Sequence, residues 1–231
     1  MTRVVVIVQA RMTSSRLPGK VLMDLGPGTC LEILCRRLER LQSTDAVVIA
    51  TSVEPADDPI AEADLPFEVV RGPLADVLER YRQAAEQQGA DAVVRVTSDC
   101  PLVEPSLIDR LVGMWRADEA LDYVWNTREP RTFPDGLDAD VVSRSALDAA
   151  AAETAEPYDR EHVTPFIRDR ADRFPQRDLR LEPPVRGVKL SLDTTEDLET
   201  IRAFIDRVGP DADLDAILAA AGGEPGRLVE G

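Results

Sequence analysis

A chain of 231 residues with 44% hydrophobic and 30% charged side chains has enough apolar material for one generous core and is far from the composition of a disordered chain. Its formal net charge of −16 argues against a nucleic-acid partner, which needs a broad basic face, so any site for a small anion must be locally positive. Cys30, Cys35 and Cys100 are odd in number and lack C-x-x-C spacing, which reads as reduced, buried thiols and implies no metal cluster.

The chain opens with Arg3 and five apolar residues, too short for a signal-peptide core or a membrane span, so no membrane contact and a cytoplasmic location are expected. Val4 to Val8 is a β-branched run of the kind buried on both faces of a parallel sheet, and Val47 to Ser52, Phe67 to Val70 and Ala92 to Thr97 read likewise. Between them, Leu31, Leu34, Cys35, Leu38 and Leu41 form a stripe at helical spacing, with Thr29 and Glu32 in capping-box relation at its start. Val77, Leu78, Tyr81, Ala84 and Ala85 make a second stripe closed by Gly89, and Pro105 opens a third helix running to about Ala117. Strand and helix in alternation imply a doubly wound α/β sheet.

After Tyr123 to Asn126 the pattern changes. Thr127 to Ser143 carries prolines and a turn at Asp135 and Gly136, followed by a short strand-like piece and two helical stretches, so an insertion on the sheet is expected over about residues 127–180. Val188 to Asp193 reads as a late strand, and the following helix is capped by Thr194 or Thr195. Residues 1–222 then form a single domain, with a frayed, flexible tail over 223–231.

Chemistry concentrates where strands end. The stretch QARMTSSRLPGK after the first strand places Arg11, Arg16 and Lys20 in one loop with Thr13, Ser14, Ser15 and Gly19, suited to wrapping an anion and offsetting much of a triphosphate's charge. A basic surface loop without function is the alternative. Neither the P-loop pattern nor G-x-G-x-x-G is present. Lys20 and Lys189 are the chain's two lysines. Asp99 and Asp193 each follow a strand-like run, and together they are placed to share a Mg²⁺ against phosphates, although either alone fits a helix cap equally well. His162, the single histidine, is either a base or a hydrogen-bonded structural residue beside Glu161.

The blocks QARMTSSRLPGKVL, RGPLADVLERY, VVRVTSDCPLVEP, FPDGLDADVVS, YDREHVTPFIR and LSLDTTEDLETIR, in this order over nearly the whole chain, resemble the cytidylyltransferases that activate ketodeoxyoctonate and acylneuraminate sugars, most closely the spore-coat polysaccharide biosynthesis protein F group. The resemblance implies a three-layer α/β/α sandwich of the nucleotide-diphospho-sugar transferase type, Rossmann-like and GT-A-like, with an inserted arm that commonly mediates dimerisation; a homodimer is therefore expected. It implies that Arg11, Arg16 and Lys20 bind the phosphates of CTP, that Gln9 and Ala10 lie near the base, and that Ser15, Thr51, Ser52 and Arg71 belong to the nucleotide pocket. It implies that Asp99 and Asp193 hold Mg²⁺, and that Asp138, Asp140, Glu161 and His162 face an acidic, sugar-like acceptor. Arg11, Lys20, Asp99 and Asp193 would then carry catalysis. A glycosyltransferase on the same fold would carry an Asp-x-Asp pattern where Ser98 to Pro101 offers only Asp99; a non-catalytic scaffold subunit of the same pathway is the other reading.

Overall fold

A computed structural model describes residues 2–224 and 226–231. The β-branched runs become β1 (Val4–Gln9), β2 (Ala46–Ser52), β3 (Glu68–Gly72) and β4 (Ala92–Thr97), all parallel, with β1 between β2 and β4. The striped segments become α1 (Cys30–Leu38), α3 (Val77–Gln87) and α4 (Pro105–Ala117), with a short α2 (Asp58–Glu62) in the β2 to β3 crossover. Thr29 and Glu32 close the capping box that starts α1, and Asp76 caps α3 through the Glu79 amide.

The second half adds β5 (Tyr123–Trp125), β6 (Asp140–Ser143), α5 (Arg144–Glu153), α6 (Pro157–His162), α7 (Pro165–Arg168), β7 (Gln176–Glu182), α8 (Thr195–Val208), α9 (Leu214–Ala220) and β8 (Arg227–Glu230). One eight-stranded sheet results, in the order β3-β2-β1-β4-β6-β5-β7-β8, and β6 runs antiparallel to both β4 and β5. Residues 127–180 thus supply β6, α5 to α7 and most of β7. Alternation along β1 splits the core in two: Val4, Val6 and Val8 pack toward α1, α4 and α8, while Val5 and Ile7 pack toward Tyr81 of α3 and Leu147 of α5. This is the doubly wound α/β sheet that the alternation of elements predicts, and the three-layer α/β/α sandwich that the family resemblance implies. No described helix is long and apolar enough to cross a membrane.

Two expectations change. Val188 to Asp193 is an extended segment with a single bridge, Lys189 to Asp135, and not a ladder strand. Its amides bind loops instead: Leu190 N–H donates to Asp135 O at 2.6 Å and Leu192 N–H to Asp99 O at 2.7 Å. Gly136 permits this approach, since its φ is +102° and a Cβ there would stand 2.5 Å from Leu190 C. The tail is the second correction. Arg227–Glu230 pair antiparallel with β7, Gly231 N–H donates to Asp178 O at 2.8 Å, and Arg110 pairs with Glu230, so residues 227–230 form an edge strand where fraying was expected.

Candidate active site

β1 ends at Gln9, and the chain turns over the sheet's carboxyl edge. Gly19, at φ +73°, donates its N–H to Met12 O at 2.8 Å, and the following short turn brings Lys20 back toward β4. Lys20 Nζ donates to Asp99 Oδ2 at 2.6 Å and to Asp193 Oδ1 at 2.9 Å. Asp193 also pairs with Arg16 at 2.9 Å and Lys189 at 3.1 Å. Burial works against the Lys20 charge, but Asp99 and Asp193 outweigh it and hold its pKa above the ordinary value. At Asp193 burial is again opposed, here by Lys20 and Lys189, and the acid is held below the usual range. Three segments distant in sequence therefore converge on one rim.

These groups line a cleft of about 340 Å³, together with Gln9, Arg11, Ser15 and Arg16. A second cavity of about 480 Å³ adjoins it, lined by Trp125, Arg131, Asp138, Asp140, Tyr158 and Arg168 among others, and Arg95 and His162 line both. In the second cavity Asp138 accepts from Arg131 Nη2, yet burial, the larger effect, pushes its pKa up to about 6. Asp140, 4% exposed, also lies above its ordinary value through burial, with Arg95 pulling it back.

His162 ends α6, where Val163 takes φ +72° and ψ −55° and Thr164 N–H donates to His162 O at 2.9 Å. This is a γ-turn centred on a β-branched residue, a strained conformation that fixes the chain's direction beside the ring. The Tyr158 ring lies 4.5 Å from that of His162. Partial burial lowers the His162 pKa, Glu161 opposes this, and Arg95, Arg11 and Arg168 reinforce it. Glu161 itself pairs with Arg11 at 3.3 Å across the cleft.

Not every residue expected in the nucleotide pocket lines it. Thr51 and Ser52 are fully buried, because β2 lies one strand away and Asp57 covers its end: Asp57 accepts from Ser52 Oγ and from Met12 N–H, the latter at 2.6 Å. These residues support the cation loop from beneath. Arg71 is turned away, donating to Ser52 O at 2.8 Å and to Asp58 at 2.7 Å. The Ala10 side chain is buried. Conversely, the sequence reading passed over Arg95, Arg131 and Arg168; for Arg95 the signal was present, as a lone cation in the apolar run VVRVT.

Asp99 and Asp193 already hold one cation, the Lys20 ammonium, between their oxygens. Hard carboxylate oxygens brought to a shared point suit Mg²⁺, which takes one or two carboxylates and completes its shell with phosphate and water. No larger group of three or more His, Cys, Asp or Glu side chains arranged for a metal occurs among the described residues.

Ligands of open α/β sheets rest beyond the carboxyl ends of the strands, and a cationic cleft there with an adjoining polar cavity fits the class of nucleotidyltransferases. The family model described as Cytidylyltransferase matches residues 5–215, and the chain belongs to that family. Spore coat polysaccharide biosynthesis protein SpsF of Bacillus subtilis (strain 168) is 35% identical over 228 residues, covering 94% of this chain and 92% of its own. A cytidylyltransferase from Leptospira borgpetersenii serovar Hardjo-bovis (strain JB197) superposes with a TM-score of 0.91 at 29% identity, over 96% of this chain and 94% of that one. CMP:2-keto-3-deoxy-manno-octonic acid synthetase complexed with CTP shares the fold at TM-score 0.70 and 18% identity, over 89% and 99% of the two chains.

Proposed function

We propose that the enzyme moves a cytidylyl group from CTP to an acidic sugar or sugar-like acceptor, releasing pyrophosphate, with Mg²⁺ as cofactor, in the synthesis of surface polysaccharide or glycoconjugate. The observation that carries this reading is the Lys20 ammonium bonded to both Asp99 and Asp193, in a cleft that also holds Arg11 and Arg16 and opens beside a second polar cavity. The CTP named with the octonic acid synthetase and the polysaccharide named with SpsF support it.

In this reading Arg11, Arg16 and Lys20 receive the phosphates. Gln9 Oε1 is buried without a partner at the cleft wall, an acceptor suited to the amino group that distinguishes cytosine from uracil. Arg131 and Arg168 offer positive charge to an acidic acceptor in the neighbouring cavity. The acceptor hydroxyl attacks the α-phosphorus in line. The new oxygen–phosphorus bond forms as the bond to the β-phosphate oxygen breaks, and its electron pair leaves on pyrophosphate. His162, kept neutral by its lowered pKa and set where the cavities meet, takes the hydroxyl proton. Asp99 and Asp193 would hold Mg²⁺, which when bound screens the charge of the triphosphate.

Pyrophosphate release, measured over a panel of nucleoside triphosphates and acidic sugars, tests the reading. CTP is expected to lead, and Asp99→Asn to lose most turnover while melting as a folded protein. A preference for another base, or near-normal Asp99→Asn rates with Mg²⁺, would refute the corresponding assignment. The homodimer expected through residues 127–180 is read by sedimentation.

A further inference from the structure

Among the described residues, Arg95 and His162 line both cavities. If CTP fills the cleft with its terminal phosphates at Arg11, Arg16 and Lys20, and the acceptor fills the cavity beside it, the new bond must form at the wall the two share. One of the two residues there can take a proton. The other carries a permanent charge on a planar fork of donors, the geometry that matches phosphate.

Arg95 is also unusual as a structural residue. It stands within β4, in the middle of the sheet, directly opposite Asp140 of β6. Its side chain is 19% exposed and that of Asp140 6%, and placing a cation in such a strand is costly unless it is fully paired. The pairing is loose. Nη1 reaches Asp140 Oδ2 at 3.4 Å, Nε is buried with no partner, and Asp140 Oδ1 is likewise buried and unpartnered. An ion pair kept for the fold alone would close tighter, as Arg128 does on the buried Asp178 at 2.8 Å, away from both cavities. Nη2 makes no hydrogen bond among the described residues, and an unpaired donor on a side chain that lines both cavities indicates a third, anionic party.

We propose that Arg95 is a catalytic residue of the transfer, its guanidinium donating to non-bridging oxygens of the α-phosphate while the acceptor oxygen adds and pyrophosphate departs. Asp140 orients the fork from the far side, and the charge that grows on the α-phosphate oxygens as the bond to pyrophosphate breaks is met by donors already in place. This inference rests on the cytidylyl-transfer reading above.

Calorimetric binding of CMP and of cytidine to wild type, Arg95→Lys and Arg95→Gln tests the contact without needing the acceptor. The expected result is CMP binding weakened about 10- to 100-fold in both variants with cytidine binding unchanged, the size of a lost charge-assisted hydrogen bond. A purely structural role would weaken both ligands together. Arg95→Lys keeps a charge against Asp140 and supplies the answer if Arg95→Gln does not fold. Wild-type CMP affinity in the folded variants overturns the proposal. Should the wild type prefer a different base, the cytidylyl reading fails separately, and the same comparison with that base's monophosphate and nucleoside still decides the role of Arg95.

Discussion

Replacing Lys20 by Met removes the cation that holds Asp99 and Asp193 together, and the structure sets the size of the effect. Two charge-assisted hydrogen bonds, 2.6 and 2.9 Å long, are lost from a side chain only 12% exposed. Asp193 keeps Arg16 and Lys189, whereas Asp99 keeps no ion pair among the described residues. Because both acids retain some contact with water, which screens the pair, the cost falls below the sum for two such bonds, to about 2 kcal/mol in total. For a chain of 231 residues that lowers Tm by about 4–8 °C. The difference between wild type and variant has a defined pH window. The contribution of Lys20 is complete below the ordinary lysine value and lost as pH rises through its raised pKa, and that of Asp193 is complete above the ordinary aspartate value and lost as pH falls through its lowered one. It is therefore fullest between about pH 4 and pH 10. Added Mg²⁺ should narrow the gap: in wild type the ion competes with Nζ, in Lys20→Met it meets Asp99 without an ion-pair partner and Asp193 relieved of one cation, and at ten times its Kd it returns about 1.4 kcal/mol. Thermal melting with and without Mg²⁺ measures both effects, and turnover should still fall by about 10²- to 10³-fold. A variant that melts with wild type and gains no more from Mg²⁺ would refute the argument.

With His162 as the base, kcat/KM should decline on the acid side with a midpoint below the ordinary histidine value of about 6.5, since partial burial and Arg95, Arg11 and Arg168 outweigh Glu161; His162→Gln should abolish that limb. Asp138, pushed up to about 6 by burial against the pull of Arg131, binds its proton more tightly folded than unfolded. Stability should accordingly fall as pH rises from about 4 to 6, and Asp138→Asn should flatten that part of the melting profile. Deleting residues 226–231 removes β8 with its cross-strand pairs and the Arg110 to Glu230 contact, at about 1–3 kcal/mol, and a Tm equal to that of the full chain would show the edge strand to be idle.

What the sequence discloses follows from how local each signal is. The parallel strands and α1, α3, α4 and α8 are written in apolar periodicity and caps, which need no knowledge of the partner segment. The meeting of Lys20 and Asp99 was legible because strand ends of a doubly wound sheet share one edge, whereas Asp193 arrives there on an extended segment held by loop carbonyls. Depth below that edge was not. Ser52 and Thr51 end a strand as Gln9 does, but Asp57 roofs them over, and nothing in their own neighbourhood announces it. Val188 to Asp193 has the alternation of a strand, and Leu190 and Leu192 are indeed fully buried; its hydrogen-bond partners, however, are loops from elsewhere in the chain. Arg95 stands out in the sequence as a cation within an apolar run, but its partner Asp140 is set by a register that the sequence does not display. β8 was missed because a four-residue edge strand after Gly226 has too little pattern to stand out from a loose end.

The reversal of strand direction at the β4 to β6 border divides responsibilities within the sheet. On the proposed reading, the loop and Asp99 that would receive the donor lie on one side, where Glu161, His162 and Asp193 join them, while segments from Tyr123 onward line most of the second cavity. On that reading, substitutions confined to the second cavity beyond the seam, at Trp125, Arg131, Asp138, Tyr158 or Arg168, would change which acceptor is taken while the cation loop that would present the donor stays as it is.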